Sequence, residues 1–427
     1  MTAARAFLER LFHTAVAAAH PAAFLKPLLP PPPQSGRLII LAAGKAAGSM
    51  TEIAERHYLE SVPADYLDGI AVTRHGYARP TKKIEMIEAG HPVPDATGLA
   101  AAERTLALAD QARADDLVLV LLSGGASANW IAPAQGLTLA EKQTVTLALL
   151  RSGASIGEIN TLRKHLSRIK GGRLARRAHP ARLVTLAISD VPGDEPAVIG
   201  SGPTVPDPST LAEARAIAAR YRLDLPDSVL RALRDPANET PKPGDPIFAN
   251  SAFTLAARPA DAFRAAEAEI RAAGYDCVFL GERLEGEARE VAAEHARLAR
   301  ELAAQRRKAV ILSGGELTVT MAGKGRGGPN QEYALALCIA LDGTAGIAAL
   351  AADTDGTDGG TGTAADPAGA FVDATTVERA RAKGRDPNAF LSDNNSTQFF
   401  ALLGDLLIPG PTFTNVNDFR AIVVDRP

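Results

Sequence analysis

The feature that most constrains this chain is a recurring unit: a short apolar run, a glycine-bearing loop, then a stretch with helical periodicity. Arg37-Leu-Ile-Ile-Leu-Ala-Ala43 is the first such run, and no polar residue interrupts it from Leu38 onward, so both of its faces must be buried. Gly44 follows, and the pattern turns helical from about Lys45 to Leu59. Further runs with apolar cores stand at 69–73, 83–88, 117–122 and 183–189, with helical stretches at 96–112, 139–151 and 155–168. Strands buried on both faces and alternating with helices predict an α/β fold on a doubly wound parallel sheet.

The composition shifts at Asp235-Pro-Ala-Asn-Glu-Thr-Pro-Lys-Pro-Gly-Asp-Pro246, a stretch that reads as a linker. The expected division is therefore a first domain over 1–240 and a second, smaller α/β domain over 241–427. Strands at 247–256, 277–280 and 309–312 and helices at 260–273 and 286–305 continue the alternation, and the final strand, 421–424, could return to either sheet. Residues 2–20 carry Leu8, Leu11, Phe12 and Val16 at helical spacing with charges between them, which is an amphipathic helix rather than a secretion signal. No run of about 18 apolar residues suits a membrane span, so no membrane partner is expected and the cytoplasm is the default location. Lys plus Arg number 46 against 49 Asp plus Glu, a formal charge of −3, and no basic excess marks a nucleic-acid partner. Cys277 and Cys338 both sit in apolar runs and are expected as buried thiols.

Chemistry is expected in the loops. Gly44-Lys45-Ala46-Ala47-Gly48 lacks the spacing of G-x-G-x-x-G and of a Walker A loop. A lysine at a helix start opposes the macrodipole by a few tenths of a kcal/mol, so Lys45 and nearby N–H groups are read as meeting a bound anion. Ser123-Gly124-Gly125 and Ser313-Gly314-Gly315 both follow apolar runs, where open α/β sheets bind ligands. Ser189-Asp190-Val191-Pro192-Gly193-Asp194 places two acids about a turn, able to offer oxygens to Mg²⁺ alongside phosphates. Asp207, by contrast, reads as turn chemistry and a helix start. Gly323-Lys324-Gly325-Arg326-Gly327-Gly328-Pro329-Asn330 is an electropositive loop in which Pro329 suits the first helical turn and Arg326 the clamping of an anion. Asp353-Thr354-Asp355-Gly356-Thr357-Asp358-Gly359 fails the EF-hand template but could present a carboxylate to a metal or a substrate hydroxyl. Asp95 is expected to cap the next helix, the basic stretch 163–177 to be a solvated helix beside the anion site, 392–396 to be a polar loop or helix start, and 412–418 a polar cluster without one evident task.

The segments GKAAGSM, GHPVPD, LLSGGAS, HLSRIKGGRLA, SDVPGD, SGPTVPDPST, GGELTVT, GKGRGGPNQE, TDGTDG and TNVND, in this order, resemble the glycerate 2-kinase family with a leucine-rich carboxy-terminal module, whose members often carry a hydroxypyruvate reductase name. The resemblance implies ATP-dependent phosphorylation of D-glycerate at its 2-hydroxyl with Mg²⁺, on a larger Rossmann-like domain and a smaller α/β domain. It assigns catalytic roles to Lys45, Arg326 and Asp190. Beside it, the loop readings make Gly44, Ser123, Gly124, Gly125, Gly193, Gly325, Asn330, Asp355 and Asp358 the expected substrate or nucleotide contacts, and Asp190 with Asp194 the expected metal ligands. The implied partners are small molecules, D-glycerate and ATP; self-association into a homo-oligomer is left open. The competing expectations are an NAD(P)H-dependent hydroxypyruvate reductase and a non-catalytic sensor of a small hydroxy acid.

Overall fold

The computed structural model describes residues 3–191, 193–360 and 363–425. The chain forms two compact units, one spanning Phe24–Ala257 and the other joining Met1–Ala23 to Arg258–Pro427.

In the first unit the apolar runs become strands β1 (Leu38–Ala43), β2 (Leu67–Arg74), β3 (Glu85–Ala89), β4 (Leu117–Leu122), β5 (Arg182–Ile188) and β6 (Ser251–Ala257). They make one six-stranded sheet in the order β3-β2-β1-β4-β5-β6. Every neighbour pair is parallel. β1 and β4 are buried at every residue, which is what their unbroken apolar sequence requires. The core spreads from this sheet to helices on its faces, with Ala101, Leu106, Trp130 and Leu174 packed among the strand side chains.

The division of the chain differs from the one read near residue 240. The proline-rich stretch is part of the first unit: Asn238 and Thr240 are buried, Pro241 O accepts from Asp207 N at 2.9 Å, and Glu239 Oε1 meets His165 Nε2 at 3.1 Å. Prolines there shape a packed loop instead of freeing a linker. The strand expected at 247–256 in the second domain is accordingly β6, an edge of the first sheet.

The second unit holds β7 (Asp276–Phe279), β8 (Ala309–Ser313), β9 (Ile347–Asp353), β10 (Gly369–Asp373), β11 (Leu406–Leu407) and β12 (Asp418–Val424), ordered β11-β10-β9-β12-β8-β7. Only β7 and β8 run parallel; the other pairs are antiparallel. The last strand stays in this sheet, inserted between β8 and β9. The amphipathic helix Ala3–Ala19 packs in this unit, with Phe7 stacked on Tyr275 and Phe12 edge-on to Phe419. Cys338 is buried as expected, whereas Cys277 is only half-buried. Among the described residues no helix is long and apolar enough to cross a membrane.

Candidate functional site

The order of the parallel sheet fixes where its loops gather. From β1 the chain steps outward to β2 and β3, then returns to place β4 on the other side of β1. The switch point, where an open α/β sheet leaves a crevice at its carboxyl edge, therefore lies between β1 and β4. Lys45 follows β1 and Ser123-Gly124-Gly125 follows β4, so the two loops flank that crevice.

They are tied to one another by hydrogen bonds. Lys45 N donates to Gly124 O at 2.8 Å, Ala46 N to Ser123 Oγ at 2.9 Å, and Ser123 N to Ala43 O at 3.1 Å. A side chain at Gly44 would put its Cβ 2.4 Å from Ser123 O, so the approach requires glycine. Gly125 has φ +84°, and a Cβ there would lie 2.9 Å from His91 Cδ2 and 3.4 Å from Lys45 Cγ. Lys45, Gly125 and the imidazole of His91, two residues beyond β3, thus form one half-buried cluster. The bonds that hold this turn use the N–H groups of Ser123 and Ala126, and those of Gly124 and Gly125 take no part in them. Such a turn can receive an anion.

Asp190 leaves β5, the neighbour of β4, and is half-buried at the same carboxyl edge. The loop beyond it turns through the Asp194 N to Val191 O bond of 3.0 Å, with Asp194 at φ +56° and Gly193 at φ +89°; Pro192 lies outside the described residues. Among the described residues no group of three or more His, Cys, Asp or Glu is arranged to hold a metal ion. Two carboxylates remain a chemically suitable donor set for Mg²⁺, which completes its shell with phosphates and water.

The basic stretch 163–177 departs from the solvated helix expected for it. Lys164, Lys170 and Arg173 are all buried. Lys170 Nζ donates to Ser127 O at 2.7 Å and Trp130 O at 3.2 Å, fastening the short helix that follows Gly125. Burial first, then Arg163 and Lys142, holds this ammonium well below the usual lysine range. Asp207 is likewise more than a turn residue: it is buried against Lys164 Nζ at 3.2 Å and also accepts from Ser209 and Thr240.

The second unit builds a different loop. Gly323 to Gly328 is pinned by the polar run at 393–396, which the sequence marked as a polar loop or helix start and which does open the helix Ser396–Leu403. Asn394 Oδ1 accepts from Ala322 N and Gly323 N, both at 2.8 Å, Asp393 Oδ1 from Lys324 N at 3.0 Å, and Asn395 Oδ1 from Arg326 N at 3.3 Å. A Cβ at Gly325 would meet Asp393 O at 2.5 Å and Asn395 Cβ at 2.4 Å. The backbone is fixed while the side chains of Lys324 and Arg326 stay exposed. Pro329 opens the helix Pro329–Leu341, as its sequence position predicted.

Asn330, Asp355 and Asp358 are buried here. Asp358 caps the helix, accepting from Asn330 N at 3.0 Å and Gln331 N at 2.9 Å, while Asn330 Nδ2 bridges it to Asp418 at 2.6 Å. Burial raises the Asp358 carboxyl to about 7, against the pull of those two N–H groups and with the Asp418 charge adding to it. Asp355 accepts from Thr357 N at 2.7 Å. The second Ser-Gly-Gly turn is filled by packing, since a Cβ at Gly314 would strike the Phe263 ring at 2.3 Å and one at Gly315 would strike Leu284 O at 2.1 Å.

Comparison with known proteins decides the kinship. Residues 7–234 match the family described as "Domain of unknown function (DUF4147)", and 309–418 match the MOFRL family. A Thermotoga maritima protein named D-glycerate 2-kinase is 40% identical, covering 90% of this chain and 89% of its own. The chain belongs to the glycerate 2-kinase family. A crystal structure of a glycerate kinase from the same organism superposes with a TM-score of 0.83 at 38% identity, over 97% of this chain and 98% of that one. An Agrobacterium vitis protein with the provisional name hydroxypyruvate reductase is 48% identical over 99% of this chain and 94% of its own length. The family thus carries both names, and the chemistry of the loops has to choose between them.

Proposed function

We propose that this chain is a glycerate 2-kinase, transferring the γ-phosphoryl group of ATP to the 2-hydroxyl of D-glycerate. The observation that carries the reading is the cluster of Lys45, Gly125 and Ser123 at the switch point of the parallel sheet, a lysine beside N–H donors where an anion belongs.

Phosphoryl transfer asks little covalent work of a protein; it needs alignment of the attacking and leaving oxygens and cancellation of charge on the phosphoryl group. Lys45 supplies a compact positive charge and Arg326 a planar fork suited to a carboxylate or phosphate. The N–H groups of Gly124 and Gly125 supply fixed dipoles that need no reorganisation as charge shifts. Gly44 and Gly325 let their loops close on Ser123 and on Asp393 and Asn395, while Gly193, with open space where a side chain would stand, lets backbone approach a ligand. Asp190, with Asp194, would hold Mg²⁺, which when bound neutralises the phosphate oxygens; the oxygen-only donor set fits that ion. Asn330, Asp355 and Asp358 act by holding the second unit's loops in place.

A reductase would need backbone close to a dinucleotide pyrophosphate after β1, and Gly44-Lys45-Ala46-Ala47-Gly48 lacks the glycine spacing for it. A mere sensor of hydroxy acids would not need a second cationic loop. The test is direct. Purified protein with D-glycerate, ATP and Mg²⁺ should release ADP and give a product that NMR identifies as 2-phosphoglycerate. Oxidation of NADH with hydroxypyruvate, or formation of the 3-phosphate, would overturn the reading.

A further inference from the structure

The second unit contains a cavity of about 250 Å³ beside the pinned glycine loop, lined by Val319, Met321, Pro329, Glu332, Asn394 and the backbone of Gly327, Gly328 and Gly359. Sites for whole small ligands run to roughly 300–1,000 Å³, so this space suits part of a ligand. Its walls are apolar: Val319 and Pro329 are half-buried, and Met321, 66% exposed at the rim, offers a soft thioether suited to an aromatic face.

Its polar floor is more selective. The buried Glu332 carboxylate is neutralised by Arg289, whose Nε donates to Oε1 at 2.7 Å, and Asn394 Nδ2 donates to the same oxygen at 3.1 Å. Every hydrogen bond to this carboxylate among the described residues falls on Oε1, leaving Oε2 to accept from a donor in the cavity. A phosphate or carboxylate placed there would face a carboxylate whose countercharge is already spent. An uncharged ring bearing an amine would be held by that same carboxylate instead of repelled. The same backbone continues within two residues to the exposed Arg326, so a ligand's anionic end has a cation at hand as its ring enters the cavity.

We propose that this cavity receives the adenine base of the nucleotide, with Glu332 Oε2 accepting from the exocyclic 6-amine and Arg326 facing the phosphates. The proposal rests on the kinase reading and goes beyond it by assigning the nucleotide base to the second unit and its selectivity to one carboxylate. It also explains why the loop is pinned so heavily: the polar run at 393–396 fixes the cavity wall and the phosphate-facing cation together.

Photolabelling with 2-azido-ATP, mapped by peptide mass spectrometry on the unmodified protein, should mark the segment 319–332. Label confined to 24–257 would overturn the proposal. In steady-state assays Val319→Trp should raise the KM for ATP by about tenfold or more while leaving that for D-glycerate within about twofold, since only ring burial is lost. Met321→Trp, at an exposed rim with little packing to lose, should do the same and covers the case in which Val319→Trp fails to fold. Unchanged KM for ATP in a folded variant counts against the cavity. Glu332→Gln offers an amide N–H in place of an acceptor, so the preference for ATP over ITP should fall by about tenfold; an unaltered ratio removes Glu332 from base recognition. Photolabelling needs no turnover, so a protein that fails to phosphorylate glycerate still tests the cavity separately.

Discussion

The two units place their candidate loops by different means. In the unit spanning Phe24–Ala257 all strands run parallel, so every strand ends at one edge and the loops after β1, β3, β4 and β5 gather there as a consequence of topology. In the other unit four of the five strand pairings are antiparallel, and no such edge exists. Its cationic loop is held instead by side chains, Asp393, Asn394 and Asn395 from one segment and Asp358 from another. A parallel sheet gives a site its place without further cost, whereas a mixed sheet has to build one from buried polar groups. The first kind of site should be sensitive to the shape of its turns and the second to the acceptors beneath it.

Four experiments would test that contrast. The largest effect is expected for the cations themselves. Arg326→Ala should lower kcat/KM by about 10³-fold or more, as loss of a charge-stabilising arginine does, and Lys45→Ala by on the order of 10²–10³-fold; both are read by ADP release. Turnover near wild type in either variant removes that unit's loop from the chemistry. Next comes turn shape. Gly125→Ala forces a side chain into φ +84° against the His91 ring and should cost on the order of 10²-fold in kcat through a misplaced turn. Gly153→Ala, also at positive φ but with nothing within 4 Å, should leave turnover unchanged.

The acceptors come third. Asn394→Ala deletes the oxygen that holds Ala322 N and Gly323 N and the amide on Glu332. It should destabilise the second unit by about 2–3 kcal/mol, seen as a lowered thermal midpoint, with a fall in kcat that the equivalent loss in the parallel unit would not produce. The fourth effect is a pH dependence. Asp358 is raised to about 7 in the folded chain, so the native state binds a proton more tightly than the unfolded one. Its contribution to stability is complete below the ordinary aspartate range and is lost as pH rises through about 7. Comparing wild type with Asp358→Asn from pH 8 down to pH 4, the wild type should gain stability relative to the variant; a constant difference would mean that this carboxyl stays ionised.

Much of the parallel unit was legible because its signals are local. Unbroken apolar runs such as 38–43 and 117–122 have only one use, and the glycines that follow them mark where the chain must turn sharply. Pro329 and Asp95 announced helix starts for the same reason: the first turn of a helix needs a residue without a required N–H, or a side-chain oxygen before it. Lys45, Ser123-Gly124-Gly125 and Asp190 stand out as candidates by their position after such runs. His91 was in view within its proline-flanked segment, yet nothing local tells that its ring lies against Gly125.

What misled the reading was composition taken as exposure. Prolines at 235–246 suggested a free linker, and the charges at 163–177 a solvated face, but Asn238, Thr240 and Pro241 in the first and Lys164, Lys170 and Arg173 in the second are buried, because partners distant in sequence satisfy their polar groups. The polar run 392–396 is a loop and helix start as its sequence predicts, but its hold on the glycine loop is not visible there, since the partners are backbone N–H groups some 70 residues earlier.

By itself the sequence determined strands β1 to β5, several helix starts and the family resemblance, and marked loops in which chemistry is expected, because these follow from periodicity, glycine and proline within a few residues; it showed neither β10 nor β11. Only the tertiary structure decided which strands share a sheet, that the first helix packs with the carboxy-terminal unit, and which charges are buried. Those outcomes depend on contacts between segments far apart in the chain, where the energy of a polar group is set by the partner that folding brings to it.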